Sequence, residues 1–269
     1  MTPPASVRIM GILNVTPDSF SDGGSFHSLS LAVDQAARLI DDGADILDIG
    51  GESSRPFAEP VSEDEELERV IPVIEAIRRR WPTPISIDTT KAAVARTALA
   101  AGADIINDIS ALRKDPRMLE VVQESTVPLI IMHMQGTPAD MQIKPEYQDV
   151  VADVIAFFQE RIAWLRENGV AQDRLIIDPG IGFGKTMQHN LSILKHLKEL
   201  TSLKVPVLLG HSRKRFLGEL SGLAVQDRDN LTAVISALSV REGIAIVRVH
   251  NVAASRLAIQ VTEAIAQAV

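Results

Sequence analysis

The chain has 269 residues, 46% of them apolar and 4% aromatic, with no cysteine and a net charge of −8. Lack of cysteine excludes a disulfide framework, thiolate metal sites and a thiol nucleophile. The acidic balance argues against a nucleic-acid surface, which needs a basic stripe, but leaves room for a small anionic substrate met by local cations.

No run approaches a membrane span, and the N-terminus carries no apolar leader pattern. A cytoplasmic protein without a membrane partner is the expectation.

The first apolar run, Ile9 to Val15, ends in NVTPDSFSDGGSF, a loop rich in turn formers. Val33, Ala36, Ala37 and Ile40 then recur at helical spacing up to Gly43, a good helix-terminating glycine. DILDIGGESSRP repeats the plan: a short run, an acid (Asp48), glycines and a loop. Ser62 and Glu65 predict a capping box for a helix carrying Leu67, Val70, Ile71, Ile74 and Ile77, with a kink at Pro72. Pro84 to Ile87 ends at Asp88, and an alanine-rich helix follows to Ala101. The run at Ile105 and Ile106 ends at Asn107 and Asp108. Leu129 to Met132 ends at His133, with a polar loop to Tyr147. Val151, Val154, Ile155, Phe158, Ile162 and Leu165 mark the clearest helix. Leu175 to Ile177 ends at Asp178 and a glycine-rich loop with Lys185. A helix at Leu191, Leu194 and Leu197 leads to Val205–Leu209, which ends in Ser212, Arg213 and Lys214. Ile244 to Val249 ends at Arg248, His250 and Asn251, before a last helix with Leu257, Val261 and Ile265.

Eight short runs, each followed by a helical pattern, imply a parallel sheet closed as an α/β (β/α)8 TIM barrel. No composition break divides the chain, so one domain over residues 1–269 is expected. An open doubly wound sheet is the alternative.

In such a barrel all strand ends meet on one face, where enzymes of this fold bind substrate. Every run here ends in a polar residue. Asp88, Asn107 and Asp178 suit a flat heterocycle with amino and ring N–H donors. Arg55, Arg213, Lys214, Arg248 and His250 form an opposite pole suited to phosphate or pyrophosphate. The competing reading is that these acids and bases simply pair and stabilise the rim.

The loop after Asp178 is a near miss for nucleotide motifs. Three residues, not four, separate Gly180 from Gly184, and GxGxxG also fails. No HExxH or His–Cys cluster is present, so no tight zinc site is expected. Magnesium arriving with a phosphate substrate would need only one protein oxygen. His27, His189 and His196 read as surface residues. Three glycosylation sequons, at Asn14, Asn190 and Asn230, read as chance matches in a chain without a leader pattern.

Taken together, the strand-end motifs resemble the bacterial dihydropteroate synthases over nearly the whole chain. They are MGILNVTPDSFSDGG (Met10 to Gly24), DIGGESSRP (Asp48 to Pro56), ISIDTTK, IND, MHMQGTP, DPGIGFGKT, GHSRKRFLG and RVHN (Arg248 to Asn251). The resemblance implies condensation of 6-hydroxymethyl-7,8-dihydropterin pyrophosphate with p-aminobenzoate, sulfonamide sensitivity and Mg2+. It implies pterin contacts at Asp88, Asn107, Asp178 and Lys214, and a magnesium contact at Asn14. Ser54, Arg55, Arg248 and His250 match pyrophosphate positions. Phe183, Pro56, Ser212 and Lys214 match the p-aminobenzoate side. Asp88, Asp178, Lys214 and Arg248 are the expected catalytic residues, and a homodimer through late helices is implied.

Two lids are expected at Asn14–Phe26 and Gly50–Val61. The second departs from the family pattern, with Ser54 for threonine and Phe57 for glycine. Phe57 is expected to alter loop closure and the fit of sulfonamides. Asn251 stands where aspartate is common. The alternatives are a methyltetrahydrofolate-dependent methyltransferase barrel, which needs no pyrophosphate pole, and a non-catalytic pterin-binding homologue. A Schiff-base aldolase is disfavoured, because Asp178 stands where its lysine would end the sixth strand.

Overall fold

The computed structural model describes residues 6–16, 25–53, 60–137, 141 and 143–268. Eight parallel strands run in chain order: β1 (Arg8–Asn14), β2 (Ile46–Gly50), β3 (Ile85–Asp88), β4 (Ile105–Asp108), β5 (Leu129–Met132), β6 (Leu175–Asp178), β7 (Leu208–Leu209) and β8 (Ile246–Val249). They form one sheet in the order β6-β5-β4-β3-β2-β1-β8-β7. A bridge between Ile177 and Val207 joins the two ends, and Ile177 N–H donates to Pro206 O at 3.0 Å. The expected (β/α)8 barrel is therefore what the chain forms.

Helices follow the strands: α1 (Ser25–Asp41), α2 (Glu63–Arg78), α3 (Ala92–Ala100), α4 (Met118–Glu124), α5 (Val150–Glu167), α6 (Met187–Lys195), α7 (Leu197–Thr201), α8 (Arg215–Ser221), α9 (Asp229–Arg241) and α10 (Val252–Gln267). The expected helix at Leu191–Leu197 is two pieces, α6 and α7, meeting at His196. The seventh strand is shorter than its apolar run. Helix α2 passes Pro72, whose ring lies on the exposed face, where water can serve the carbonyl it leaves unbonded. Only half of the capping box forms: Ser62 Oγ accepts from Glu65 N–H at 3.2 Å, while the Glu65 carboxylate pairs with Arg69.

Strand alternation sorts side chains to two faces. Outward-facing residues such as Ile9, Leu47, Ile87 and Ile177 pack under the helices in the main core. Met10, Ile46, Ile105, Ile130, Ile176, Leu208 and Ile246 form a separate inner cluster, one residue from each of seven strands. The eighth strand, β3, contributes Ser86, fully buried with no partner for its hydroxyl among the described residues. One alternation step further, the same inward set reads Ile12, Asp48, Asp88, Asn107, Met132, Asp178, Gly210 and Arg248. The barrel fills its lower interior with apolar side chains and turns polar two residues later. No helix among the described residues is long and apolar enough to cross a membrane.

Candidate active site

At the carboxyl ends of β2, β3, β4 and β8 the polar residues form one bonded cluster. Arg248 Nε donates to Asp48 Oδ2 at 2.5 Å, and its Nη2 donates to Asp88 Oδ2 at 2.7 Å. Asn107 Nδ2 lies 3.3 and 3.4 Å from the two Asp48 oxygens. Asp48 is 0% exposed, so its charge depends on these partners. Burial pushes the Asp88 carboxyl up to about 7; Arg248 pulls it down, and the nearby Asp48 charge pushes it up. Burial opposes the Arg248 charge, but the two carboxylates hold the guanidinium charged, above its ordinary range. Arg248, expected at the phosphate pole, thus lies across the acids of the heterocycle pole. The acid–base pairing weighed as the alternative is real at this residue.

Across the mouth, Asp178 ends β6, and its Oδ1 accepts from Gly180 N–H at 2.8 Å. Burial pushes its carboxyl up, partly offset by that bond and by Lys214. Lys214 lies with its Nζ 4.0 Å from the centroid of the Phe183 ring, a cation–π contact. Burial pulls its ammonium down to about 8, and Arg248 adds to that pull. Phe183 belongs to a buried apolar cluster with Met132, Met134 and Met141, against which Ile109 packs. A cavity of 410 Å3 opens beside Asp88, lined also by Glu52, Thr89, Ile109, Arg113 and Met134. That size suits a small heterocyclic ligand.

Ser212 Oγ lies 2.9 Å from His250 Nδ1 and accepts from the His250 backbone N–H at 3.1 Å. Ser212 thus holds both the ring and the main chain of His250. Burial pulls the His250 imidazole down to about 3, helped by Arg213, Arg248 and Lys214. Asn251, where aspartate was the expected type, caps α10 by accepting from Ala254 N–H at 3.0 Å. It also donates to Asp229 Oδ2 at 3.0 Å.

Other expectations need correction. Arg213 is not free for phosphate: its guanidinium makes two bonds to Asp229, at 2.6 and 2.8 Å. His189 is not a bare surface residue; it completes the capping box with Thr186 and packs edge-on against Tyr147. His196 is half-buried, with Nδ1 2.8 Å from Ser192 O. Asn14 closes β1, half-buried at the mouth. Ser54, Arg55, Pro56 and Phe57 lie outside the described residues, as do most of the first lid and the centre of the second.

Polarity-based reading missed three features. Asp48 was seen as a strand end but not as the hub of the cluster. The methionine wall escaped because only polar strand ends were counted, although Met132 sits two residues beyond inner-cluster Ile130. Asp108 organises the next turn: Oδ1 accepts from Ser110 N–H and Oγ–H at 2.7 and 2.6 Å, and Oδ2 from Leu112 N–H at 2.9 Å. Ala111 and Leu112 there adopt φ of 54° and 61°, a conformation those bonds help hold.

A phosphate-binding loop does not explain residues 178–185. A Cβ at Gly180 would lie 2.0 Å from His133 O, and one at Gly184 would lie 2.4 Å from Gln135 O. The glycines allow backbone to pack on backbone.

This barrel mouth, with buried carboxylates, an amide and cations over an apolar floor, is that of a pterin-binding enzyme. The family model described as "Pterin binding enzyme" matches residues 10–250. The dihydropteroate synthase of Haemophilus influenzae is 47% identical over 261 residues, covering 97% of this chain and 94% of its own. The Yersinia pestis dihydropteroate synthase, solved with a sulfonamide drug complex, superposes with a TM-score of 0.93 at 44% identity, covering 98% and 96% of the two chains. The Xanthomonas albilineans enzyme, solved with 4-aminobenzoic acid, gives a TM-score of 0.93 at 47% identity, covering 98% and 95%. The chain belongs to the dihydropteroate synthase family.

Proposed function

We propose that the chain condenses 6-hydroxymethyl-7,8-dihydropterin pyrophosphate with p-aminobenzoate, giving 7,8-dihydropteroate and pyrophosphate. The observation that carries this reading is the convergence of Asp48, Asp88, Asn107 and Asp178 with Arg248 and Lys214 over the Phe183 wall. The carboxylates and the amide take the amino and ring N–H groups of the pterin. Lys214, His250 and Arg248 face the pyrophosphate side, to which the family motif also assigns Ser54 and Arg55. Phe183, Pro56, Ser212 and Lys214 enclose the arylamine.

The reaction is dissociative. The methylene C–O bond breaks, and its electron pair leaves on pyrophosphate oxygen, whose charge the cations meet. Asp88 and Asp178 stabilise the cationic pterin methylene. The arylamine lone pair then forms the C–N bond, and the nitrogen gives its proton to solvent or to departing pyrophosphate. A neutral arylamine is already nucleophilic, so positioning and electrostatics supply the acceleration.

Among the described residues no group of three or more His, Cys, Asp or Glu side chains could hold a metal. Asn14 offers one neutral oxygen, which fits Mg2+ that keeps most of its waters and arrives on the substrate. When bound, Mg2+ neutralises charge on the pyrophosphate leaving group.

A homodimer is the proposed assembly. Leu220 of α8, Val234 and Leu238 of α9, and Leu257, Val261 and Ile265 of α10 are each more than half exposed. A second copy would cover such a face. The last-helix stripe thus faces outward, while Val252, Ser255 and Ile259 face the barrel. A monomer at micromolar concentration in sedimentation would count against the dimer. Residues 1–269 are read as one cytoplasmic domain, inhibited by sulfonamides that compete for the arylamine site.

The test mixes the protein with pterin pyrophosphate, Mg2+ and p-aminobenzoate and follows pyrophosphate. Release that depends on the arylamine supports the synthase. Binding of the pterin without release favours the non-catalytic homologue.

A further inference from the structure

Lys185 is the one lysine classed as buried among the described residues, at 3% exposure. Its Nζ lies 2.9 Å from His133 Nδ1 and donates to Gly180 O and Phe183 O, each at 3.0 Å. His133 O is a fourth neighbour at 3.3 Å. An ammonium has three N–H donors, and the three shortest partners saturate it. Nothing is left over for a phosphate or a carboxylate on a ligand. With Lys185 charged, His133 accepts at Nδ1 and is neutral; burial and the Lys185 charge pull its imidazole down to about 2.

The loop is wound round this ammonium. Gly180, Gly182 and Gly184 adopt φ of 68°, 84° and 60°, which turns the carbonyls of residues 180 and 183 inward. The ammonium ties those carbonyls to the end of β5 through His133. The Phe183 ring itself lies among Met132, Met134 and Met141. Methionine is unbranched and adaptable, so that wall alone does not fix a ring. What fixes it is the main chain on which it sits.

We propose that Lys185 is a positioning residue for the arylamine: by holding the Phe183 carbonyl against β5, it sets the Phe183 ring and the Lys214 ammonium stacked on it. This rests on the reading of Phe183 as the arylamine wall. Of the groups read as facing the pterin, Asp48, Asp88 and Asn107 stand on β2, β3 and β4 and share no bond with Lys185. Asp178 meets this loop, but through Gly180 N–H rather than through the Gly180 carbonyl that Lys185 holds. A ligand is therefore affected mainly at its arylamine end.

Steady-state kinetics on Lys185→Met test this. Removing the ammonium raises the KM for p-aminobenzoate about 10-fold, while the KM for the pterin pyrophosphate and the kcat at saturating arylamine stay within about threefold. In a Phe183→Ala background the same substitution changes the arylamine KM by less than about twofold, because the two act as one unit. Equal losses for both substrates, or full additivity with Phe183→Ala, overturn the proposal. Should Lys185→Met not fold, His133→Phe carries the test. It removes one of the three short partners and raises the arylamine KM about threefold, with the pterin KM unchanged. An unchanged arylamine KM in Phe183→Ala overturns the reading of Phe183 and this proposal with it. An unchanged value in the Lys185 or His133 variant alone overturns only the positioning role.

Discussion

On the β8 side of the mouth, Arg248 is held by two carboxylates, Asp48 and Asp88, which the proposed function assigns to the pterin. On the β5–β6 side, Lys185 is held by a neutral imidazole and by main-chain carbonyls that face only the protein. The first arrangement can be rewired: a ligand that bonds the acids changes what Arg248 has to pair with. The second cannot be rewired without unwinding the loop. On the proposed reading one cation belongs to the chemistry and the other to the frame, though both lie largely out of solvent. Burial and charge alone do not separate the two roles; the partners do.

Substituting Arg248 by Met breaks that comparison most severely. Asp48 and Asp88 then face each other without a cation, and urea unfolding at pH 8 shows a loss of about 3–5 kcal/mol. At pH 5 the loss shrinks because Asp88 takes up a proton. A loss independent of pH would mean that packing of the arginine, not its charge, holds this side.

Asp88→Asn keeps shape and removes charge. Turnover falls by about 100-fold, roughly 2.7 kcal/mol, while the affinity for a pterin analogue falls less. Equal losses in binding and rate would remove Asp88 from the transition state and leave it a simple docking group.

On the other side, Gly180→Ala places a Cβ against His133 O and strains a φ of 68°. A destabilisation of about 1–3 kcal/mol follows, with the arylamine KM rising before the pterin KM. Wild-type stability at this position would show that the loop has room to move, contrary to the frame role.

The two sides also differ in the pH dependence of unliganded stability, where they have opposite windows. The folded Asp88 carboxyl, near 7, lies above its unfolded value, so the folded state holds extra proton between about 4 and 7, and stability falls as pH rises through that window. Burial pulls the Lys185 ammonium down to about 7, below its unfolded value. The unfolded state then binds more proton above pH 7, and stability rises toward pH 10. Thermal melts of Asp88→Asn should lose the acid limb, and those of Lys185→Met the alkaline one.

Much of this was legible in the sequence. Eight apolar runs with polar ends predict both the barrel and the face on which Asp88, Asn107, Asp178 and Lys214 gather. The pairing of side chains was not legible. Arg213 and Arg248 look alike along the chain, yet one is held by Asp229, 16 residues away, and the other by Asp48, 200 residues away. The loop that carries Lys185 is a near miss for nucleotide motifs, and the sequence assigns that lysine no role; the backbone of residues 133–135 explains Gly180 and Gly184. Likewise the Leu257–Val261–Ile265 spacing gives a helical stripe but not the direction it faces.

The two-residue step inside the barrel also bears on how this protein can change. Ile46 and Asp48, Ile105 and Asn107, and Ile176 and Asp178 are neighbours on the same face of the same short strand. A larger or smaller side chain in the lower layer shifts a strand only four or five residues long and carries a ligand contact with it. Variation inside the barrel is therefore tightly coupled to activity, whereas the exposed faces of α2 and α5 can vary with far less effect on the ligand. Heat-adapted forms should accumulate their substitutions on such exposed helix faces, and leave the inner strand faces almost unedited.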